Sequence, residues 1–331
     1  MAEKRDHHAY LLYLRIGVGA FVSLLVVFWL TRQVNLKDVW ELLQTASIPY
    51  VLLGLSSVAL NLGAKVMRWR VFLGKHARSI SGKVLLGVML SGQLMNAIIP
   101  GRIGDVARIL FVGRSAGKVY VLGTIALEKW MDTLAFILLF LASLLWFPLP
   151  AWIDSSSWGL VAVLMLVGSV GLFCAVYFAD FLKRLIYAWI QQLSEGPRAW
   201  IWKRLEPGFA SLIALKDGRS SFQAVFWTMI VWVTAILNNF LGMRALNVTL
   251  PFFVSIVLLL SLQLGVVSMA SPAGVGVFEY ICMLTLTYFG VNETLALSVG
   301  ILLHVMVYFP LLLGVFSPFW KYPLPINNSN G

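Results

Sequence analysis

Twice along this chain a long apolar run stops at a proline-glycine break, and no other feature narrows the possible folds as far. Residues 84–99 run into Pro100-Gly101, and residues 251–270 run into Ser271-Pro272-Ala273-Gly274-Val275-Gly276. Six uninterrupted apolar stretches accompany them, at 11–30, 50–66, 120–147, 158–179, 222–242 and 294–316, against the roughly 20 residues a helix needs to cross a bilayer. Inside hydrocarbon an unpaired backbone group is so costly that irregular chain survives only against protein or a wet cavity. Proline ends each incoming arm, glycine permits the tight turn, and the amides opening the returning arm can receive an anion. The breaks therefore predict a polar cavity inside an all-α polytopic membrane protein. Composition agrees: 60% of the residues are hydrophobic and 12% charged, whereas soluble domains carry about a quarter charged residues. That excludes a soluble globular domain, a disordered tail protein and a conventional nucleic-acid binder. Cys174 and Cys282 both lie in apolar runs and imply no disulfide framework.

Charge orders these segments across the membrane. Lys4 and Arg5 precede the first stretch, which is too long for a signal peptide and lacks a small-residue cleavage site, so the N-terminus is placed in the cytoplasm. The second stretch then delivers Lys65, Arg68, Arg70, Lys75, Arg78 and Lys83 to the inside, as the positive-inside bias requires. If 84–99 crossed fully, Arg102, Arg108, Arg114 and Lys118 would face outward, followed by Lys183, Arg184, Arg198, Lys203, Arg204, Lys216 and Arg219. If it dips in and returns at Pro100-Gly101, all eleven fall inside and the loop 148–157, without Lys or Arg, falls outside. The net charge of +11 then has its ordinary source in cytoplasmic loops. The second break is read the same way, because its returning arm 277–289 is short for a span, and the C-terminus becomes cytoplasmic.

The expectation is about six full spans plus two broken re-entrant helical hairpins in an inverted repeat, integral to the plasma (inner) membrane. A single transmembrane domain covers 1–317, with halves at about 1–150 and 158–317, and 318–331 form a disordered tail. A cytoplasmic interfacial helix is expected within 180–221, where Phe181, Leu185, Trp189 and Leu193 recur at helical spacing.

The two breaks resemble each other. Gln93-Leu94 opens the arm leading to Pro100-Gly101-Arg102-Ile103-Gly104-Asp105, and Gln263-Leu264 opens the arm leading to Pro272-Ala273-Gly274-Val275-Gly276-Val277-Phe278-Glu279. Each lies between two spans, in opposite orientation, as in transporters built from inverted repeats with broken helices. Pro100, Gly101, Gly104, Pro272, Gly274 and Gly276 are the hinge candidates.

Ionisable residues at membrane depth mark function by default. Arg102 and Arg108 carry the planar forks that suit a phosphate, with Asp105 able to pair with either. Glu128 and Asp132, four apart, share a helix face, and Lys129 is placed to neutralise one of them. Glu279 is the most isolated acid, a candidate for a proton or cation role or for capping its broken helix. His304 is expected to hydrogen-bond between helices, and Arg68-Trp69-Arg70 to anchor at the interface. No nucleotide loop, zinc motif or nucleophile elbow is present in the sequence, so no catalytic residue, metal or cofactor is expected.

Four elements occur in order: Arg68-Trp69-Arg70, Asn96 with Pro100-Gly101-Arg102-Ile103-Gly104-Asp105-Val106-Ala107-Arg108, Glu128-Lys129 with Asp132, and Ser271-Pro272-Ala273-Gly274-Val275-Gly276-Val277-Phe278-Glu279. With them the chain resembles the lysylphosphatidylglycerol synthase transmembrane-region family, the flippase-like integral membrane proteins. The resemblance implies movement or handling of anionic, aminoacylated or polyprenyl-linked lipids, and it adds Asn96 to the binding candidates. Longer members continue into a soluble aminoacyl-transfer domain; this chain stops at Gly331, so lysyl transfer is not carried over.

The expected function is a flippase-like transporter. Arg102 and Arg108 would hold the headgroup phosphate, while Glu128, Asp132 and Glu279 would face any positive moiety. The expected partners are a phospholipid or lipid-linked substrate, the membrane, and a homodimer mate or soluble transferase, with no nucleic acid. Two alternatives stand beside it: a membrane-embedded headgroup transferase using Glu128 or Asp132 as general base, and a non-transporting partner of a glycosyltransferase docked on the basic face of 180–221.

Overall fold

The computed structural model describes residues 17, 21, 23–99, 102–146, 155–213, 217–268 and 272–315. Most of the first apolar stretch, Pro100 and Gly101, most of the loop 148–157 and the expected tail lie outside the described residues. Every regular element among the described residues is helical. Helix α1 spans residues 23–33. It is followed by α2 (Leu36–Gln44), α3 (Ile48–Leu73), a 3-10 turn (Gly74–Ser79), α4 (Gly82–Ile98), α5 (Ile103–Ala116) and α6 (Lys118–Trp146). Then come α7 (Ser155–Tyr177), α8 (Ala179–Ile190), α9 (Glu195–Ile213), α10 (Gly218–Ala245), α11 (Phe253–Ser268), a 3-10 turn (Pro272–Gly274), α12 (Val277–Tyr288) and α13 (Glu293–Val315).

Three of the described helical stretches, Ile48–Ser79, Gly218–Ala245 and Glu293–Leu312, are long and apolar enough to cross a membrane, as a polytopic membrane protein requires. Helix α4, at 17 residues, reaches only about 26 Å at 1.5 Å per residue, short of the roughly 30 Å hydrocarbon core. Local chemistry sets where these helices begin. The Ser81 hydroxyl accepts from the amide of Val84 to open α4, and the Asp217 carboxylate accepts from the amide of Ser220 to open α10.

Helices α3 and α10 form the centre and run antiparallel. The amide of Ser47 donates to the carbonyl of Ala245 at one end. Asn61 Nδ2 donates to the carbonyl of Val231 at mid-length, and Arg68 Nη1 donates to Thr228 Oγ1 towards the other end. Each central helix continues into a hairpin. Helices α4 and α5 fold back on each other: Val112 and Ala116 near the end of α5 share a buried cluster with Ala77 and Ile80, which precede α4. Helices α11 and α12 do the same, with the Phe289 ring 5.9 Å from that of Phe253 at the start of α11. Because α3 and α10 are antiparallel, the two hairpins open at opposite ends of the central pair.

Helices α6 and α13 complete the two sets. In each set the central helix touches both its hairpin and its closing helix, and the first hairpin arm of each set also touches the closing helix of the other set. Lipid tails are as apolar as leucine, so such helices are held by close packing more than by exclusion of water. Gly92 and Gly104 let α4 and α5 cross with backbones in contact, while Gly242 and Gly265 leave room for Leu303 and Ile281. The 180–221 region forms two helices where one was expected: α9 packs against α6, and α8 leaves Phe181, Leu185 and Trp189 exposed.

A candidate binding cavity between the two hairpins

A cavity of about 330 Å³ lies where the hairpins approach each other across α3 and α10, within the size range of small-molecule sites. Its polar wall consists of Asn61, Lys65, Gln93, Asp132, Thr234, Asn238, Asn239 and Gln263, and Ala273 and Gly274 of the second break close one side. Lys65 Nζ donates to Gln93 Oε1 at 3.1 Å. Gln93 Nε2, Asn238 Oδ1 and Trp232 Nε1 are buried at this wall without a partner among the described residues. Buried polar atoms are rarely left so, because each unmade bond costs free energy.

Behind one wall lies a network of ion pairs. Arg68, fully buried, grips Asp132 through both nitrogens, Nη1 to Oδ1 at 2.6 Å and Nη2 to Oδ2 at 3.0 Å. Arg108 does the same to Glu128, at 3.3 and 2.6 Å, and also reaches Asp105 Oδ1 at 3.4 Å. Its guanidinium stacks on the buried Trp69 ring, 4.2 Å from the centroid. Lys129 Nζ lies 3.7 Å from Asp105 Oδ2. Asn96 reaches across the first break, its Nδ2 donating to Asp105 Oδ1 and its Oδ1 accepting the Asp105 amide. Arg68 and Trp69 are therefore interior and do not anchor at the interface, because α6 supplies Asp132 and Thr124 as their partners.

At the second break Ala273, Gly274 and Gly276 take φ of 55°, 72° and 82°, left-handed conformations that favour glycine. Glu279 closes this turn: Oε2 accepts the Gly276 amide at 2.8 Å, and Oε1 lies 2.6 Å from His304 Nδ1, although the ring does not aim an N–H at it. Tyr308, its ring tilted against that of His304, donates its hydroxyl to the Ala273 carbonyl at 2.7 Å.

Among the described residues expected at the site, only Asp132, from α6, and Gly274, from the second turn, line this cavity. Asp105, Arg108 and Glu128 are drawn together as expected, but behind the wall and on one another. Arg102 is exposed at the start of α5 with φ 55°. Gly104 lies in the first turn of α5, where it serves helix contact, and Glu279 and Gly276 sit beside the cavity without lining it.

The lysylphosphatidylglycerol synthase TM region family matches residues 16–314, almost the whole described fold. The chain belongs to that family. The chain is also 20% identical, over 323 residues, to the UPF0104 membrane protein PH1989 of Pyrococcus horikoshii, covering 91% of this chain and 95% of that one. Family membership makes a membrane, lipid-related role the frame for this cavity. Several cavity residues escaped the sequence reading: Lys65 served there only as a topological charge, and Asn61 and Asn238 are amides in apolar helices. A signal for two others was present, since the Gln-Leu pairs that open the two arms place Gln93 and Gln263 on the same wall.

Proposed function

We propose that the protein is a flippase-like lipid transporter, in which a headgroup enters the cavity between the hairpins while its chains stay in the bilayer. The observation that carries this reading is a cavity whose mostly apolar lining is interrupted by Lys65, Asp132 and a group of amide side chains, set between apolar helices and bordered by both hairpins. In this reading α3–α6 and α10–α13 form an inverted repeat. The hairpins are re-entrant from opposite faces of the plasma membrane, with both termini cytoplasmic. Rocking of one set against the other would expose the cavity to each side in turn. Arg108, Glu128 and Asp105 hold the wall in shape, and Asp132, Lys65 and the amides meet the headgroup; Arg102, exposed near the break, serves as an approach site for phosphate.

Purified protein in liposomes carrying a fluorescent phosphatidylglycerol tests this, with dithionite quenching of the outer leaflet as the readout. The wild-type chain is expected to expose the inner-leaflet probe. Ala235→Trp, which fills the cavity from α10, is expected to reduce exchange to the protein-free rate while the protein stays monodisperse. Full exchange by a monodisperse Ala235→Trp would sink the reading.

A further inference from the structure

The acids beside the two breaks are neutralised in different ways. Asp105, Glu128 and Asp132 each meet an arginine, whose charge does not vary with pH. Glu279 meets neither arginine nor lysine among the described residues, and its partner there is His304, with Oε1 2.6 Å from Nδ1. Imidazole is the side chain that ordinarily changes charge between about pH 5 and 8. With the ring neutral the pair is net negative; with the ring protonated it is neutral. Both side chains are largely withdrawn from solvent, and a carboxylate without a cation is costly there. Loss of the ring proton therefore favours a turn that admits water around Glu279.

The surroundings leave this charge to the pair. Cys282 of α12 and Tyr308 of α13 are the other ionisable groups within electrostatic reach of Glu279. Helix α11, packed on α12, carries none. In the other helices around the pair, Arg32 of α1, Lys83 of α4 and Arg219 and Arg244 of α10 sit in terminal turns, and the charged residues of α2 are exposed. Lys65 and Arg68 of α3 turn to Gln93 and Asp132. The pair also reaches the cavity. Phe278 and Tyr308, with ring centroids 5.0 and 4.5 Å from that of His304, both line it. Tyr308 holds the Ala273 carbonyl and Glu279 holds the Gly276 amide, on either side of the cavity-lining Gly274.

We infer that Glu279 and His304 form a proton-binding site, and that taking up a proton closes the turn of the second hairpin against the cavity. The proton comes from water and returns to it; no other bond is made or broken. Closure binds the proton, so low pH favours the closed turn and high pH opposes it. The inference rests on the transport reading only in giving closure a consequence for a guest.

Hydrogen exchange of residues 272–280 in the full chain in detergent tests it, after correction for the pH dependence of the chemical step. Release of one proton on opening permits up to about tenfold per pH unit, and protection is expected to fall by about tenfold in all from about pH 6 to 8. Glu279→Gln, neutral yet still able to accept the Gly276 amide, is expected to keep the turn protected at both values. Cys282→Ala is expected to retain the wild-type response. Should Glu279→Gln melt early, His304→Lys, which supplies a cation that does not titrate in this range, is expected to flatten the response instead. Wild-type protection independent of pH overturns the inference, as does a persisting response in a Glu279→Gln protein that melts like wild type. A turn open at both values in Glu279→Gln would make Glu279 a cap alone and overturn it, and loss of the response in Cys282→Ala would move the site to the thiol. Protection that follows pH without lipid exchange in liposomes would leave this inference standing and remove the transport reading; exchange with pH-independent protection would do the reverse.

Discussion

Arg108 shows how one side chain can be read in two ways until its partners are known. At membrane depth an arginine suggests an anion site, yet here both terminal nitrogens are taken by Glu128 and the plane rests on Trp69. Removing one member of a buried pair strands the other charge, at about 3–5 kcal/mol, while replacing both with apolar groups can be neutral or stabilising. Arg108→Met is therefore expected to lower the melting temperature sharply, and Arg108→Met with Glu128→Leu to regain most of the loss. A double variant that regains stability yet abolishes lipid exchange would show that the pair meets substrate as well. Of the charged residues that the sequence places at membrane depth, Asp105, Arg108, Glu128, Lys129 and Asp132 form ion pairs beside the cavity. What it could not supply was which partner each would meet, because Arg68, Arg108, Asp105, Glu128 and Asp132 come from three helices and either arginine could have served any acid. Lys65 was passed over because a lysine in an apolar helix looks the same in sequence whether it snorkels to the surface or turns inward.

The hairpins were the most legible elements. The Pro-Gly interruptions and the basic residues that follow them marked the fold-back at 84–116, because a break in hydrocarbon and a misplaced charge run are both expensive. The tightness of that hairpin was not legible. A Cβ on Gly104 would run into the carbonyl of Gly92 and crowd Asn96. Gly104→Ala is thus expected to cost about 1–3 kcal/mol as overpacking, read as a lower melting temperature of the purified protein. Gly171→Ala in α7 has open space around it and is expected to be neutral or to stabilise by up to about 1 kcal/mol, since alanine is the better helix former. The pair of variants separates a contact glycine from an idle one. The division of 180–221 into α8 and α9 was not legible either: its apolar residues gave the period, but the chain reversal at 191–194 carries no proline or glycine.

For the whole molecule, the antiparallel central pair fixes which ends share a side. The turn before α4, the end of α5 and the start of α6 lie together, and the loops after α10 and α12 lie at the other end. In a background with Cys174 replaced, Lys75→Cys and Arg114→Cys are expected to react with an impermeant thiol reagent from the cytoplasmic face, and Asn247→Cys and Asn292→Cys only from the opposite face. Labelling of position 114 from the outer face would break the arrangement.

Asp132 belongs to two structures at once, since it borders the cavity and also ties α6 to α3 through Arg68. Whatever lodges beside it and tugs on that carboxylate must contend with the guanidinium on its far side. Occupancy and the grip between two helices are consequently written on the same pair of oxygens, and a visitor that changes one is felt by the other.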